Sequence, residues 1–217
     1  MAMQEPAKDA AFLSALTTEH FVLQTAASST IAEAAARSTL YVMALSSALV
    51  AMGFASRSPT VLLSFGLVVL PAVFILGIFT VVRLVDTTLE NQQYLTGISR
   101  IRGYYKTLSP EASRYLRSDT ARWPEAPVTP SLTQGPSLAM LGTTAAMIAF
   151  LNNLVAGGAV TLGVIALVGS DHLGMALVAG MSTAAIFMSL FMSYQKRRFE
   201  GLQRLFETSG DEGLANG

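Results

Sequence analysis

The stretch VLLSFGLVVLPAVFILGIFTVV, residues 61–82, decides the fold of this chain because it contains no Lys, Arg, Asp, Glu or His. Three further stretches of about 18–22 residues share this property: residues 38–55, 148–169 and 173–193. At a helical rise of ~1.5 Å per residue, each stretch can cross a hydrocarbon core about 30 Å thick. The sequence therefore predicts an all-α, polytopic membrane protein with four transmembrane helices.

The composition supports this class and excludes others. Charged residues make up 13% of the chain, about half the ~25% that is usual in soluble domains, and hydrophobic residues make up 52%. The formal net charge is zero, so charge gives no reason to expect a nucleic-acid partner. The absence of Cys excludes disulfides, thiolate metal sites and cysteine nucleophiles.

The distribution of basic residues predicts the orientation in the membrane. The fourteen Lys and Arg residues are Lys8 and Arg37 before span one; Arg57 between spans one and two; Arg83, Arg100, Arg102, Lys106, Arg114, Arg117 and Arg122 between spans two and three; and Lys196, Arg197, Arg198 and Arg204 after span four. Since basic residues concentrate on the cytoplasmic side, both termini and the long middle segment are expected there. We therefore expect a multi-pass protein of the inner (plasma) membrane.

Apolar residues at helical spacing continue beyond the spans and predict cytoplasmic helices. Span two is expected to continue to about residue 108, and a helix after span four is expected to reach about residue 207 before a frayed tail. The predicted order is a cytoplasmic N-terminal helix (1–37), span one (38–55), span two (61–82), a cytoplasmic segment with a helical extension, a Pro-rich loop and the start of the third helix (83–147), span three (148–169), span four (173–193), and a C-terminal helix and tail (194–217).

The third span is harder to delimit because residues 137–169 contain no charge and exceed the length of one crossing. We expect residues 138–147 to extend one continuous helix. The alternative is a helix broken at Asn152–Asn153 or at Gly157–Gly158.

Polar and helix-disturbing residues inside the spans are the first candidates for function. Asn152 and Asn153 are the only carboxamides within a span, and they are expected to contact either a pore or a neighbouring helix. Pro71 removes a backbone donor from span two and predicts either a gating kink or a fixed bend. Gly157 and Gly158 are interpreted either as a hinge or as a site of close helix packing.

Small residues also predict contacts between helices. Ala176, Gly180 and Ala184 recur at a spacing of four residues in span four. Small side chains let helix backbones approach closely, so this face predicts a helix contact, either within one chain or between chains.

A basic and aromatic cluster lies in the segment after span two: Arg100, Arg102, Lys106, Tyr104 and Tyr105. Such a cluster can bind a nucleotide or anionic lipid headgroups. The alternative is a solvated basic face that only obeys the positive-inside rule.

The sequence contains no grouping that predicts catalysis. None of the phosphate-binding, dinucleotide-binding, zinc-protease or nucleophile-elbow motifs is present. Glu19 and His20 are too few for a metal site or a catalytic pair. We therefore expect no enzyme activity, no catalytic residue, no metal and no cofactor. The lack of a carboxylate within a span also disfavours ion-coupled transport.

Two segments carry a resemblance to known proteins. At TTEHFVLQTA (residues 17–26) and ISRIRGYYKTLSPEASRYL (residues 98–116) the chain resembles uncharacterised bacterial four-span membrane proteins of the kind found in actinobacteria. That resemblance implies a four-span topology and no known activity. The layout is also similar to that of small membrane effectors of bacterial conflict systems, which implies cytoplasmic helices beside a sensing partner.

These observations lead to three expectations for function. The first is an oligomeric protein that forms or regulates a pore, with the cytoplasmic helices as its assembly or sensing region. The second is a non-conducting scaffold that recruits a cytoplasmic protein partner, and the third is a small-solute transporter. The expected partners are the lipid bilayer, further copies of the chain and a cytoplasmic protein.

Overall fold

The computed structural model describes residues 5–109, 111–116 and 141–215, and within these ranges it contains helices and no strand. The helices are α1 (Glu5–Ala55), α2 (Pro59–Leu108), α3 (Ala112–Tyr115), α4 (Thr144–Val168) and α5 (Leu173–Ala215), with a single 3₁₀ turn at Ser170–His172. Four of them are long and apolar enough to cross a membrane. The prediction of an all-α chain with four transmembrane helices is thus confirmed.

The helices that contain the spans are mostly longer than one crossing requires. α1 has 51 residues, α2 has 50 and α5 has 43, whereas about 20 residues cross the hydrocarbon core. In the most apolar window of each span, only 11% to 28% of the residues are buried inside the chain. Most of the span surface therefore faces outward, toward lipid or another chain.

The two short connections between spans are closed by local hydrogen bonds. The Ser58 N–H donates to the Ala55 carbonyl oxygen at 3.1 Å, and α2 then begins with Pro59, whose missing N–H costs nothing at a helix start. At the other connection, the Gly169 N–H donates to the Ile165 carbonyl oxygen at 2.9 Å, and Gly169 has φ +90°, which a residue without Cβ adopts without strain.

Two helix predictions are wrong. Leu141 is helical but Gly142 and Thr143 are not, so the helix expected to be continuous over residues 138–147 is interrupted just before α4, which begins at Thr144. Residues 138–140 lie outside the described residues. The Thr143 hydroxyl accepts from the Ala146 N–H at 3.2 Å, which caps the helix there and sets its start. At the other end of the chain, α5 does not stop near residue 207 but continues to Ala215.

Other expectations for helix continuity are confirmed. α4 is one unbroken helix through both Asn152–Asn153 and Gly157–Gly158, so the broken-helix alternative is excluded. α2 runs without interruption to Leu108. The Glu111 N–H then donates to the Ser109 hydroxyl at 3.2 Å, and the short helix α3 follows. The predicted Pro-rich loop lies outside the described residues.

The chain divides into two compact units: the first comprises Met1–Ala34 and Asp86–Ala139, and the second comprises Ala35–Val85 and Met140–Gly217. In the first unit α1 and α2 run antiparallel. The Thr30 hydroxyl lies 3.2 Å from Asn91 Oδ1, and the hydroxyls of Thr17 and Tyr105 lie 3.3 Å apart. Higher residue numbers in α1 therefore pair with lower residue numbers in α2.

The contact between these two helices follows a heptad pattern. The α1 residues that face α2 are buried or half-buried and recur every three or four positions: Leu13, Leu16, His20, Leu23, Ala27 and Thr30. The corresponding α2 residues are Asn91, Tyr94, Ile98, Ile101 and Tyr105. A 3.5-residue repeat is typical of coiled-coil packing, and it keeps the same helix faces in contact along the pair.

A histidine occupies one of these inward positions. The Nδ1 atom of His20 is buried and has no hydrogen-bond partner among the described residues. The pKa of His20 lies below its ordinary value of 6.5, first because burial disfavours the imidazolium and second because the Arg102 guanidinium repels it. The helix pair therefore prefers neutral His20.

This preference predicts a pH dependence of stability. The pKa of His20 is lower in the folded chain than in the unfolded chain. The stabilisation that comes from neutral His20 should therefore be fully present above about pH 6.5 and should be lost as the pH falls toward the folded pKa. We expect the melting temperature of the full chain in nanodiscs to be lower at about pH 5.5 than at about pH 7.5. Far-UV circular dichroism would measure it, and His20→Gln should reduce the difference.

The control for this prediction is His172→Gln, which alters an exposed histidine in the turn between α4 and α5. This variant should keep the full pH dependence of the unaltered chain. An equal pH dependence in His20→Gln would contradict the role given to His20.

Candidate functional site: polar contacts between the membrane helices

The carboxamide of Asn152 is a buried polar group in the second unit. Asn152 is 3% exposed, and its Oδ1 accepts a hydrogen bond from the Tyr41 hydroxyl at 3.1 Å. Tyr41 is completely buried. Because hydrocarbon offers no water to a polar side chain, this bond satisfies both groups and ties α4 to α1.

A third helix completes this contact at Gly77 of α2. A Cβ atom at Gly77 would overlap the side chain of Asn152, so only glycine leaves room for the carboxamide at this position. Residues from α1, α2 and α4 therefore meet around one amide. We call this group of Tyr41, Gly77 and Asn152 the amide contact.

Asn153 is directed to another helix. It is 7% exposed, and its Nδ2 donates to the Met188 sulfur of α5 at 3.6 Å. Sulfur is a weak acceptor, so this bond contributes less than the Tyr41 bond. The two adjacent carboxamides thus contact different neighbours of α4, and the structure places both of them in contacts between helices.

The backbones of α4 and α5 approach closely one to two turns further along. A Cβ atom at Gly157 would lie 2.7 Å from the Gly180 carbonyl oxygen and 3.3 Å from the Cβ of Ala184. The Thr161 hydroxyl lies 3.0 Å from the Gly157 carbonyl oxygen and 3.3 Å from that of Ala176. The small-residue face predicted on span four is therefore used within the chain.

A further polar contact lies at the start of α4. The Gln195 side chain is 1% exposed, and its Nε2 donates to the Thr143 hydroxyl at 3.1 Å. The sequence pattern missed Gln195 because it stands next to a basic run that is typical of a membrane surface. Tyr41 was missed because nothing in an apolar run of sequence indicates that a tyrosine hydroxyl donates a hydrogen bond to another helix.

The remaining span candidates lie within uninterrupted helices. Pro71 is exposed and lies inside the uninterrupted helix α2. Gly158 is exposed, and a Cβ atom there would meet nothing within 4 Å. Gly157 is packed against α5, which favours close packing over a hinge.

The predicted basic and aromatic cluster is spread around α2. Arg100 and Tyr104 are exposed, and the Tyr104 ring packs edge-on against Phe12 with 5.5 Å between ring centres. Tyr105 is half-buried and faces α1, and Arg102 and Lys106 are also half-buried and make contacts of their own. The structure does not bring these five side chains together on one face.

Within the described ranges, no group of three or more His, Cys, Asp or Glu side chains could hold a metal ion. Comparison with protein-family models finds no match, and neither does comparison with curated proteins or with solved structures.

The adjacent glycines of α4 give a matched pair of substitutions. Gly157→Ala should destabilise the chain by about 1–3 kcal/mol, because its methyl group forces the α4 and α5 backbones apart. Gly158→Ala meets open space and should be neutral or stabilising by up to ~1 kcal/mol. Unfolding of the full chain in mixed micelles, followed by circular dichroism, measures both, and equal effects would contradict the close contact.

A double-mutant cycle tests the amide contact. Tyr41→Phe and Asn152→Ala should each destabilise the chain, and their coupling energy should be about 0.6 kcal/mol, the usual value for a hydrogen bond between membrane helices. The control cycle pairs Tyr41→Phe with Asn153→Ala, whose carboxamide contacts Met188 instead. A coupling that is equal in both cycles would show that the Tyr41 bond is not specific to Asn152.

Proposed function

We propose that this chain is a non-conducting membrane scaffold, in which four spans anchor a helix pair that recruits a cytoplasmic protein partner. The observation that carries the proposal is the use of both intramembrane carboxamides in contacts within the chain. Asn152 is bonded to Tyr41 and confined by Gly77, and Asn153 is bonded to Met188.

A conduction path needs polar groups that face water, and the outward surface of the spans offers few of them. Among the exposed large side chains of the spans are Met43, Leu49, Val68, Phe79, Phe150, Leu154, Val178 and Leu190. The exposed hydroxyls of Ser47 and Ser189 donate to carbonyl oxygens of their own helices at 2.9 Å. A pore built from several copies would therefore have an apolar lining.

The end of span four supports an anchoring role. Lys196, Arg197 and Arg198 are exposed where the apolar part of α5 ends, and Lys196 pairs with Glu200 at 3.7 Å. Exposed basic residues beside a span interact with anionic headgroups and keep that end in the cytoplasm. We therefore propose a cytoplasmic location for this end of the chain and, from its own charged residues, for the first unit.

The first unit supplies the surface for a partner. Its α2 helix exposes Gln92, Gln93 and Arg100 on the side away from the heptad contact, and Tyr104 is 39% exposed. Amide, guanidinium and aromatic groups of this kind are common in contacts between proteins. The recruitment of a protein is thus assigned to this helix.

Ion flux tests the scaffold against the pore. The full chain reconstituted in liposomes should give the same flux of K⁺ and Cl⁻ as empty liposomes, because the described residues of the spans present a largely apolar surface. Liposomes that receive an added ionophore serve as the positive control. A flux that requires the chain, and that is lost when Asn152 and Asn153 are replaced by Leu, would overturn the proposal in favour of the pore.

A further inference from the structure

One side of the α2 helix in span two carries an open groove with a cavity volume of about 490 Å³. We call it the span-two groove, and its lining residues come in adjacent pairs spaced four positions apart: Thr60 and Val61, Ser64 and Phe65, and Val68 and Val69. From Thr60 to Val69 the groove extends ~14 Å along the helix axis. This length is about half of a hydrocarbon core about 30 Å thick, so the groove has the depth of one leaflet.

Lipid is the material expected around the span-two groove. Val61 is 53% exposed and Val68 is 71% exposed, and both belong to a helix that is long and apolar enough to cross a membrane. Walls that face an empty groove lose their van der Waals contacts, whereas a flexible acyl chain restores these contacts along the whole length. The apolar part of the groove therefore suits the tail of a lipid.

Two hydroxyl groups line the end of the groove that is nearer the turn between α1 and α2. They belong to Thr60 and Ser64, which are exposed and have no side-chain hydrogen bond among the described residues. By contrast, the exposed hydroxyls of Ser47 and Ser189 donate to their own helices at 2.9 Å. Because a donor near hydrocarbon gains from any acceptor within reach, the ester oxygens of a lipid suit these two hydroxyls.

A single arginine stands in the turn that leads into the groove. Arg57 lies three residues before Thr60, is exposed, and makes no ion pair with a described residue. The positive-inside rule gives no reason for a basic residue here, since the predicted topology puts this turn on the side opposite to the basic segments. A guanidinium group matches the geometry of a phosphate and binds it through two parallel hydrogen bonds.

These groups occur along the chain in the order in which a phospholipid presents its own groups to the membrane. Arg57 comes first in the turn, the hydroxyls of Thr60 and Ser64 follow in the first two turns of α2, and residues 65–69 are apolar. In a phospholipid the phosphate lies at the membrane surface, the ester oxygens lie just below it, and the acyl chains lie deepest. Residues 38–82 contain no Asp or Glu that would repel the phosphate.

We infer that the span-two groove binds one phospholipid. Arg57 pairs with the phosphate, and the hydroxyls of Thr60 and Ser64 donate to ester oxygens. One acyl chain lies in the groove against Phe65 and Val69. The site is independent of the proposed scaffold function, because the partner surface in that proposal belongs to the first unit and the groove belongs to the second.

Native mass spectrometry of the full chain in detergent tests the site, with palmitoyl-oleoyl-phosphatidylglycerol as the probe. The unaltered chain should retain one molecule of this lipid under activation that removes the others. Arg57→Gln should weaken the binding about tenfold, because it removes one charge-assisted pair. Palmitoyl-oleoyl-glycerol has the same ester groups and acyl chains but no phosphate, so it should bind the unaltered chain about tenfold more weakly than the phospholipid does.

Two further variants with matched controls test the groove itself. Val68→Trp fills the groove and should weaken the binding about tenfold, the effect of about two methylene groups that lose their contact. Its control is Val178→Trp, because Val178 is 65% exposed in span four and does not line the groove. Ser64→Ala should weaken the binding about fivefold, whereas Ser47→Ala alters a hydroxyl bonded within its own helix and should have no effect. Equal helix content by circular dichroism shows that the variants are folded.

Several outcomes would overturn the inference. One is equal binding to the unaltered chain and to Arg57→Gln, and another is an equal loss in Val68→Trp and Val178→Trp, which is expected of lipid that surrounds the spans without a site. A chain that retains no lipid, or that gives the mass of two copies without lipid, would also overturn it. A chain that binds the lipid in the groove and conducts ions would keep the site and overturn the scaffold.

Discussion

The structure depends on one constraint, which is that a polar side chain in hydrocarbon must find its hydrogen-bond partner in the protein. Asn152 meets this constraint through Tyr41, and its position then requires glycine at residue 77. One carboxamide therefore determines how closely α1 and α2 can approach α4. The adjacent Asn153 meets the same constraint by donating a hydrogen bond to the sulfur of Met188 in α5. Outside these residues the polar side chains of the spans are hydroxyls such as that of Thr161, and lipid competes with every apolar contact. The polar groups are for this reason the ones that distinguish the native arrangement from alternatives.

The regular packing of the first unit follows from a different property, the heptad repeat. Leu23 packs against Gly97, and the Thr30 hydroxyl lies beside Asn91 in a contact that is otherwise largely apolar. A polar pair inside a coiled-coil contact costs stability but fixes which residues face each other. His20 also lies in this contact, and its neutral form is favoured there because burial and the Arg102 guanidinium disfavour the imidazolium. The stability of this helix pair is therefore expected to depend on pH.

The sequence predicts the spans well because membrane insertion depends on composition, and a stretch without charges is visible without any knowledge of the fold. The helix ends at Ala55 and Pro59 are also local, since a short polar turn and a proline define them. The interruption at Gly142 and Thr143 was not predicted because the absence of charge does not locate an N-cap, although the hydroxyl of Thr143 before an apolar run is a usable signal. The partner of Asn152 could not be predicted. Tyr41 is 111 positions away in the chain, and many residues of the other spans could have met the amide equally well.

The outward surface of the spans bears on function as directly as the buried amides do. A channel made of several copies would be lined by residues that face outward in one copy. Hydroxyls are the polar groups available there, and those of Ser47 and Ser189 are bonded to their own helices. A pore lined by methyl groups and aromatic rings excludes water at narrow points, so ions would have no hydrated path. In a scaffold the same surface has a simple role, because apolar side chains that contact lipid hold the four spans in the bilayer. In such a scaffold, the chemistry that selects a partner would lie in the helices that extend beyond the bilayer, where α2 carries amides, a guanidinium and tyrosines.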